Sequence, residues 1–273
     1  MVYIRDHSIE IEDKDYENYF GSINDAKNEC FNIGAGKWAH KAWTNIDLPP
    51  QTEEFKKIQA PCVFHDLVKN NSLPIKNNQA SLIYTSHVIE HLPDPNVEAM
   101  FMSVYKSLKN GGIFRVVTGP DADTDFEALI RQDKNWWYFY EKADFSNSAK
   151  KSPPMSLEEK WLYHLATPRS LFSDTYCDKK YSRHDIVELI KKYSDNPNKI
   201  RNILTKGLQF NVNFPGNHLS WWSTEKLLNK LKSAGFKNVK KSAYGQSQSY
   251  FMRDMNFFDQ TYPQISLYIE GIK

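Results

Sequence analysis

Four groups of residues with the chemistry of a nucleotide site follow one another in the first half of the chain. An apolar run ends in Gly34-Ala35-Gly36, and the later runs end in Asp47, in Asp66 and in Ser86-His87. Glycine lets a backbone approach a ligand closely, and a carboxylate can accept the hydroxyls of a ribose or the amino group of an adenine. Histidine transfers protons near neutral pH. The four groups therefore predict a nucleotide-type ligand beside a proton-transfer group.

Each group lies at the end of a predicted strand. The strands are predicted over Cys30–Ile33, Ala42–Leu48, Pro61–Asp66, Ser81–Ser86 and Ile113–Thr118. An amphipathic helix between the last two opens at Asp94-Pro95 and closes at Asn110-Gly111-Gly112 with a left-handed cap. Repeated strand–helix–strand units predict an α/β fold with a doubly wound, mostly parallel sheet. In such a sheet, ligands bind at the carboxyl ends of the strands, where the four groups would meet.

The pattern changes after Pro120. Residues 121–222 are aromatic-rich and helical, with capping boxes at Ser156–Glu159 and Ser182–Asp185, and no strand is predicted there. We interpret this stretch as a helical insertion over the sheet that forms an acceptor pocket. The core of the fold would then consist of residues 1–120 and 223–273.

The α/β pattern resumes in the last fifty residues. A helix begins at Ser223 or Thr224, a strand is predicted over Val239–Tyr244, and a final strand over Ile265–Ile269. A tight return between these two strands would place an antiparallel strand at the edge of the sheet.

Composition excludes several classes of protein. The 273 residues are 40% hydrophobic and 25% charged with a formal net charge of +2, and no concentrated basic run predicts a nucleic-acid partner. Cys30, Cys62 and Cys177 are too few and too widely spaced for a disulfide framework or a zinc motif. No apolar run approaches the ~20 residues of a membrane span, and the first ten residues do not resemble a signal peptide. We expect a cytoplasmic protein without stable membrane insertion; its oligomeric state is not predicted.

The motifs together resemble a known family. They are Asn32–Gly36, Trp43–Asp47, His65-Asp66-Leu67, Ser86–Leu92 and Leu108–Arg115. In combination they are similar to class I S-adenosylmethionine-dependent methyltransferases of the type 11 group, over residues 29–121, and Ala234–Val239 and Ser266–Ile269 are similar to the last two strands of that fold. The finer likeness is to methyltransferases of bacterial surface-polysaccharide clusters, some of which O-methylate a phosphoramidate group on a capsule precursor.

The resemblance implies a Rossmann-like seven-stranded sheet, S-adenosylmethionine as cofactor, and a role for each motif residue. Gly34, Ala35 and Gly36 would pass under the methionine part, Asp47 would hold the ribose, Asp66 and Leu67 the adenine, and Ser86 and His87 would border the sulfonium. One departure puts the contacts of the glycine turn in doubt. Lys37 follows Gly36 with no third glycine, and Ala35 stands where the family often has cysteine.

Methyl transfer from a sulfonium is an in-line displacement that needs alignment and, for a neutral alcohol, a base. We expect His87 or His91 to take that proton or to position the acceptor, unless these histidines only bond to backbone.

The candidate acceptor contacts, which could stack on a sugar or grip a phosphate, are Arg115, Asp121, Arg131, Trp136, Arg169 and His218. The alternatives are core packing for the aromatic residues, surface ion pairs for the arginines, and neutralisation of a nearby carboxylate by Arg115. No metal is expected from His65, His87 and His91, which need not converge.

Two other functions compete with this interpretation. Gly34-x-Gly36-x-x-Ala39 fits a loose nicotinamide-dinucleotide fingerprint, but that site expects its acidic residue about 20 residues on, and Asp47 comes much sooner. An NAD-dependent oxidoreductase also leaves Asp66 and Ser86-His87 without a role. A catalytically silent, methyltransferase-like partner subunit is the second alternative, and it would have no need of the acidic residues.

Overall fold

The computed structural model describes residues 10–137 and 155–273. The chain forms two compact units. Unit 1 contains the residues up to Ile89 together with Asp94–Gly119 and Thr224–Lys273, and unit 2 contains Glu90–Pro93 and Pro120–Ser223.

Unit 1 is built on a seven-stranded sheet. Its strands are β1 Cys30–Ile33, β2 Thr44–Asp47, β3 Val63–Phe64, β4 Ala80–Ser86, β5 Leu108–Thr118, β6 Asn238–Lys241 and β7 Leu267–Ile272, in the order β3-β2-β1-β4-β5-β7-β6. The pairs among β1 to β5 are all parallel. The predicted fold class is confirmed: a doubly wound, mostly parallel sheet with helices inserted between β5 and the last helix. The strand order reverses between β1 and β4, and this switch point is where open α/β sheets bind ligands.

The position of the antiparallel strand differs from the prediction. Strand β7 pairs antiparallel with both β5 and β6, so it is an interior strand, and β6 forms the edge. The return is not tight, because residues 242–266 lie between the two strands. Hydrogen bonds to a strand on each side, β5 and β6, fix the position of β7. Long stretches of chain separate β7 from both of these strands.

The helix before β5 ends earlier than predicted. It spans Asp94–Ser107, and Asn110 to Gly112 belong to β5. Gly111 does adopt a left-handed φ of 81°. Its N–H donates to the Lys273 carbonyl (2.9 Å), and the Lys273 N–H donates to the Gly112 carbonyl (3.1 Å). These bonds to the end of the chain draw the glycines into the sheet.

Nine α-helices are found in the described ranges. They are α1 Asp13–Phe20, α2 Ile23–Glu29, α3 Glu53–Ile58, α4 Asp94–Ser107, α5 Ala122–Ile130, α6 Leu157–Leu165, α7 Arg183–Tyr193, α8 Pro197–Thr205 and α9 Thr224–Ser233. None of them has the length and hydropathy that crossing a bilayer requires. Helix α4 buries Val97, Met100, Phe101 and Val104, the stripe expected of its sequence.

Within its described residues, unit 2 contains the α-helices α5 to α8, joined by short 3-10 helices, turns and loops. Its strand-like features are two isolated bridges, Asp121 with Trp222 and Ser170 with Tyr181. Both predicted capping boxes are present: Ser156 caps α6 with Glu159, and Ser182 caps α7 with Asp185. Buried Trp137, Trp161, Leu162 and Trp222 contribute to its core. The use of this unit as an acceptor pocket stays a prediction.

Candidate functional site

The glycine turn after β1 contains two left-handed residues with different surroundings. Gly34 has a φ of 72°, and a Cβ there would lie 2.1 Å from Val88 Cγ2, so the turn packs against the loop after β4 and tolerates no side chain. Gly36 has a φ of 56°, and a Cβ there would meet nothing within 4 Å. Gly34 thus joins two loops, whereas the space beside the Gly36 Cα is open to a ligand.

Asp47 lies against this turn. Its Oδ2 accepts from the Gly36 N–H at 2.5 Å and its Oδ1 from the Leu48 N–H at 2.7 Å. Burial raises the pKa of Asp47, while the two N–H groups act in the opposite sense. Each carboxylate oxygen can accept more than one hydrogen bond, so both keep capacity for a hydroxyl pair. The structure therefore brings together Gly36 and Asp47, which were predicted from separate motifs.

Asp66 follows β3 and shapes a turn. Its Oδ1 accepts from the N–H groups of Val68 (2.9 Å) and Lys69 (3.2 Å), while Lys69 Nζ lies 3.3 Å from Oδ2. Burial opposes ionisation of Asp66, but the two N–H groups and Lys69 outweigh it and lower its pKa. Oδ2 faces only a solvent-exposed lysine, which an amino group could displace. Asn96 donates to the Leu67 carbonyl at 3.3 Å, which holds the backbone of Leu67 in place beside Asp66.

His87 is anchored after β4, where half-buried Ser86 ends the strand. It is a non-glycine residue with a φ of 53°, and its N–H donates to the Val117 carbonyl at 2.9 Å. Its Nε2 lies 3.0 Å from the Thr261 carbonyl and 2.9 Å from Ser266 Oγ. Because a carbonyl only accepts, Nε2 carries a proton, which leaves Nδ1 as the ring nitrogen that could act as a base. Any base function of His87, which stays a prediction, belongs to Nδ1.

Gly119 is a contact that the sequence analysis missed. It follows β5 directly, and a Cβ there would lie 2.5 Å from His87 Cε1. The imidazole therefore occupies the space that any other residue would fill. A glycine immediately after a buried strand, like Gly34, was the available signal.

The acceptor contact of Arg115 stays a prediction, and the partners observed for its side chain are buried carboxylates. Arg115 is fully buried between Asp259 and Glu270, at 2.5 Å and 2.9 Å. Burial opposes the charge, but the two carboxylates outweigh it and raise the pKa of Arg115. The alternative given above, neutralisation of nearby carboxylates, describes this residue.

Three further candidates from the insertion have other partners. Arg169 is buried and bonds to Asp178 (2.5 Å) and to backbone carbonyls, so it ties the chain together rather than reaching a ligand. Arg131 is 62% exposed and 3.8 Å from Glu127, a surface ion pair one helical turn away. Asp121 caps α5 by accepting from the Asp123 N–H at 3.2 Å. The acceptor role of these three residues stays a prediction, and the contacts observed for them are those of structural residues.

Trp136 and His218 belong to a network of polar side chains inside unit 2. Asp125 Oδ1 accepts from Trp136 Nε1 (2.8 Å) and lies 3.3 Å from His164 Nδ1. His218 Nδ1 donates to the His164 carbonyl, and the His218 ring lies 4.9 Å from the His91 ring. Burial, with His91 and His164 nearby, lowers the pKa of His218 well below its usual range, so the ring is neutral at pH 7. Asp125 and His164 were not predicted from the sequence, although an aspartate on the apolar face of α5 was a signal.

Three other tryptophans of unit 2, Trp137, Trp221 and Trp222, lie in its interior. Trp137 is fully buried, as is Trp222, and Trp221 is 8% exposed, in agreement with the core-packing alternative. The three aromatic residues that follow Trp137 in the sequence, at positions 138–140, lie outside the described residues.

No protein-family model and no curated protein matches the chain. Among solved structures, a SAM-dependent methyltransferase, possible histamine N-methyltransferase, from Thermotoga maritima has a TM-score of 0.41 and 13% identity, covering 95% of each chain. A SAM-dependent methyltransferase from Archaeoglobus fulgidus has 0.40 and 12%, covering 94% of this chain and 98% of that one. One from Mesorhizobium loti has 0.39 and 14%, covering 90% of each. Likenesses this distant do not decide an activity.

Proposed function

We propose that this chain is an S-adenosylmethionine-dependent methyltransferase of the class I type. The observation that carries the proposal is the 2.5 Å bond from the Gly36 N–H to the Asp47 carboxylate, beside an open backbone position at Gly36. It lies at the carboxyl ends of β1 and β2, next to the switch point of the sheet. Both residues come from motifs that resemble this family, and a dinucleotide site predicts neither the position of Asp47 nor that of Asp66.

The roles of the residues follow from this geometry. When bound, the cofactor supplies an activated methyl group on a sulfonium. Gly36 would offer room beside its backbone, Asp47 would accept the ribose hydroxyls, and Asp66 with Leu67 would hold the adenine. His87 would hold or accept a proton at Nδ1 while Thr261 and Ser266 keep its ring in place. The protein thereby contributes alignment and a proton acceptor to an in-line displacement.

For the acceptor, we propose an oxygen of a small sugar, a nucleotide-linked or a phosphoramidate-type precursor in surface (capsular) polysaccharide biosynthesis. The support is the finer motif resemblance described above. Unit 2 would provide the acceptor pocket, with half-buried Trp136 and His218 as the candidates that keep a polar setting within it.

Asp47→Asn tests the cofactor site. The amide offers one acceptor oxygen in place of two, so it cannot serve both the Gly36 and Leu48 N–H groups and a hydroxyl pair. Hydrogen bonds to a charged group contribute about 1.5–3 kcal/mol, and we expect S-adenosylhomocysteine to bind about 10- to 100-fold more weakly by calorimetric titration. Asp195→Asn, at an exposed position, is the matched control. Saturable NAD binding by the wild type, or equal affinities in both variants, would count against the proposal.

Replacing the histidines tests the chemistry. Asn at position 87 keeps the left-handed backbone that asparagine tolerates, while it removes the imidazole. We expect His87→Asn or His91→Asn to lower turnover by about 100-fold or more, with little change in S-adenosylhomocysteine affinity. The measurement is transfer of a labelled methyl group to a panel of nucleotide sugars and phosphoramidates. Wild-type turnover in both variants would remove the histidines from the mechanism.

A further inference from the structure

Three side chains with metal-ligand chemistry meet inside unit 2. Glu90, His91 and His218 each offer one ligand atom, and these atoms lie within 4.8 Å of one another. Glu90 is 1% exposed, and both imidazoles are half-buried. The sequence could not predict this set, because His218 lies far along the chain from the other two.

Hydrogen bonds to backbone carbonyls orient both imidazoles in the same way. His91 Nδ1 lies 3.1 Å from the Asn217 carbonyl, and His218 Nδ1 lies against the His164 carbonyl. A carbonyl oxygen can only accept, so each Nδ1 carries a proton, which leaves Nε2 as the ring nitrogen that can bind a metal. Metal-binding histidines are held by this arrangement, in which the second nitrogen donates to a carbonyl or carboxylate.

The backbone around the three side chains is also tied together. The Glu90 carbonyl accepts from the N–H groups of Leu219 (2.8 Å) and Ser220 (3.2 Å), directly after His218. The His218 N–H donates to Thr167 Oγ1 at 3.0 Å, and the Thr167 N–H donates to the His218 carbonyl at 3.1 Å. These hydrogen bonds hold the loop that carries His218 beside Glu90. The backbone therefore brings the three candidate ligand side chains together without an ion.

We propose that Glu90, His91 and His218 bind a divalent transition-metal ion, such as Zn²⁺, whose ligand preferences they match. Two imidazole nitrogens and a carboxylate are a donor set of three-ligand zinc sites, in which the fourth position takes water or another oxygen. Metal–ligand bonds of about 2.0–2.2 Å place the ligand atoms of a tetrahedral site about 3.4 Å apart. Side-chain rotations that move the ligand atoms by roughly 1 Å would bring them to this spacing. Magnesium, which prefers oxygen ligands, is a poor match. As a ligand, His91 would not act as a base, which leaves that role to His87.

The test uses the full-length, untagged protein after removal of metal with a chelator. We expect it to bind one Zn²⁺ per chain, measured by competitive titration and elemental analysis, and to give the intense visible bands of four-coordinate Co²⁺. His91→Gln and His218→Gln are expected to weaken Zn²⁺ binding by more than about 100-fold, because loss of a second-sphere partner alone costs 10- to 100-fold. His184→Gln, at an exposed position in unit 2, is the matched control and should bind as the wild type does.

The Co²⁺ spectrum of the wild type stands independently of any variant that fails to fold. Wild-type protein that retains no more Zn²⁺ than His218→Gln, or equal weakening in His184→Gln, would overturn the proposal. The titration contains neither cofactor nor acceptor, so its outcome is independent of methyl transfer.

Discussion

Replacing Arg115 with methionine is expected to lower the free energy of unfolding by about 3–5 kcal/mol, because two carboxylates then remain buried without their cation. Each of the five guanidinium N–H positions has a partner. Nε and one Nη donate to Asp259, the other Nη to Glu270, and further bonds reach Ser242 Oγ and the Ala243 carbonyl. Arg115 thus ties β5 to β7 and to the segment that connects β6 with β7.

Two further variants are compared with Arg115→Met, one at the same position and one at an exposed arginine. Arg115→Lys keeps the cation but offers three donors in place of five, so it should recover only part of the loss. Arg131→Met removes an exposed arginine and is expected to change stability by less than about 0.5 kcal/mol. Urea unfolding of the four proteins measures the differences. Similar stabilities for the Arg115→Met and Arg131→Met variants would contradict the structural role.

Gly34→Ala is expected to destabilise unit 1 by about 2–5 kcal/mol. The left-handed backbone costs an L-residue about 1–2 kcal/mol, and forcing a methyl group into a filled space costs about 1–3 kcal/mol. The methyl would lie 2.1 Å from Val88 Cγ2, so the loops after β1 and β4 must separate. Because these loops carry Gly36 and His87, cofactor affinity should fall together with stability.

Gly111→Ala is the matched control for Gly34→Ala. Gly111 also has a left-handed φ, but a Cβ there meets nothing within 4 Å, so the substitution should show the backbone cost alone. A double-mutant cycle with Val88→Ala isolates the clash, since removing the valine branches should recover about 1–3 kcal/mol. Thermal and urea unfolding supply the energies. Additive effects of Gly34→Ala and Val88→Ala would show that the contact is unimportant.

The candidate cofactor site at Gly36 and Asp47 was predictable because its parts are local. Each group follows its own strand, and the carboxyl ends of parallel strands meet at one edge of a sheet. Strand β1 was predicted with its observed bounds, and β4 to within one residue at its start. The contact of Gly36 with Asp47 follows from the adjacency of β1 and β2. Helices α1 and α2, before the first predicted strand, were not predicted.

The roles of the buried polar residues depended on partners far away in sequence. Arg115 meets Asp259 and Glu270, 144 and 155 positions later, and His91 meets the Asn217 carbonyl 126 positions later. Local pattern carries no information on such pairings, which arise when strand β7 enters the sheet beside β5 and when the loop of His218 packs beside Glu90. The sequence by itself thus determined the fold class and the cofactor motifs, because both depend on local periodicity and turn chemistry. Only the tertiary structure decided which charged and histidine side chains are buried together, because that burial results from long-range packing.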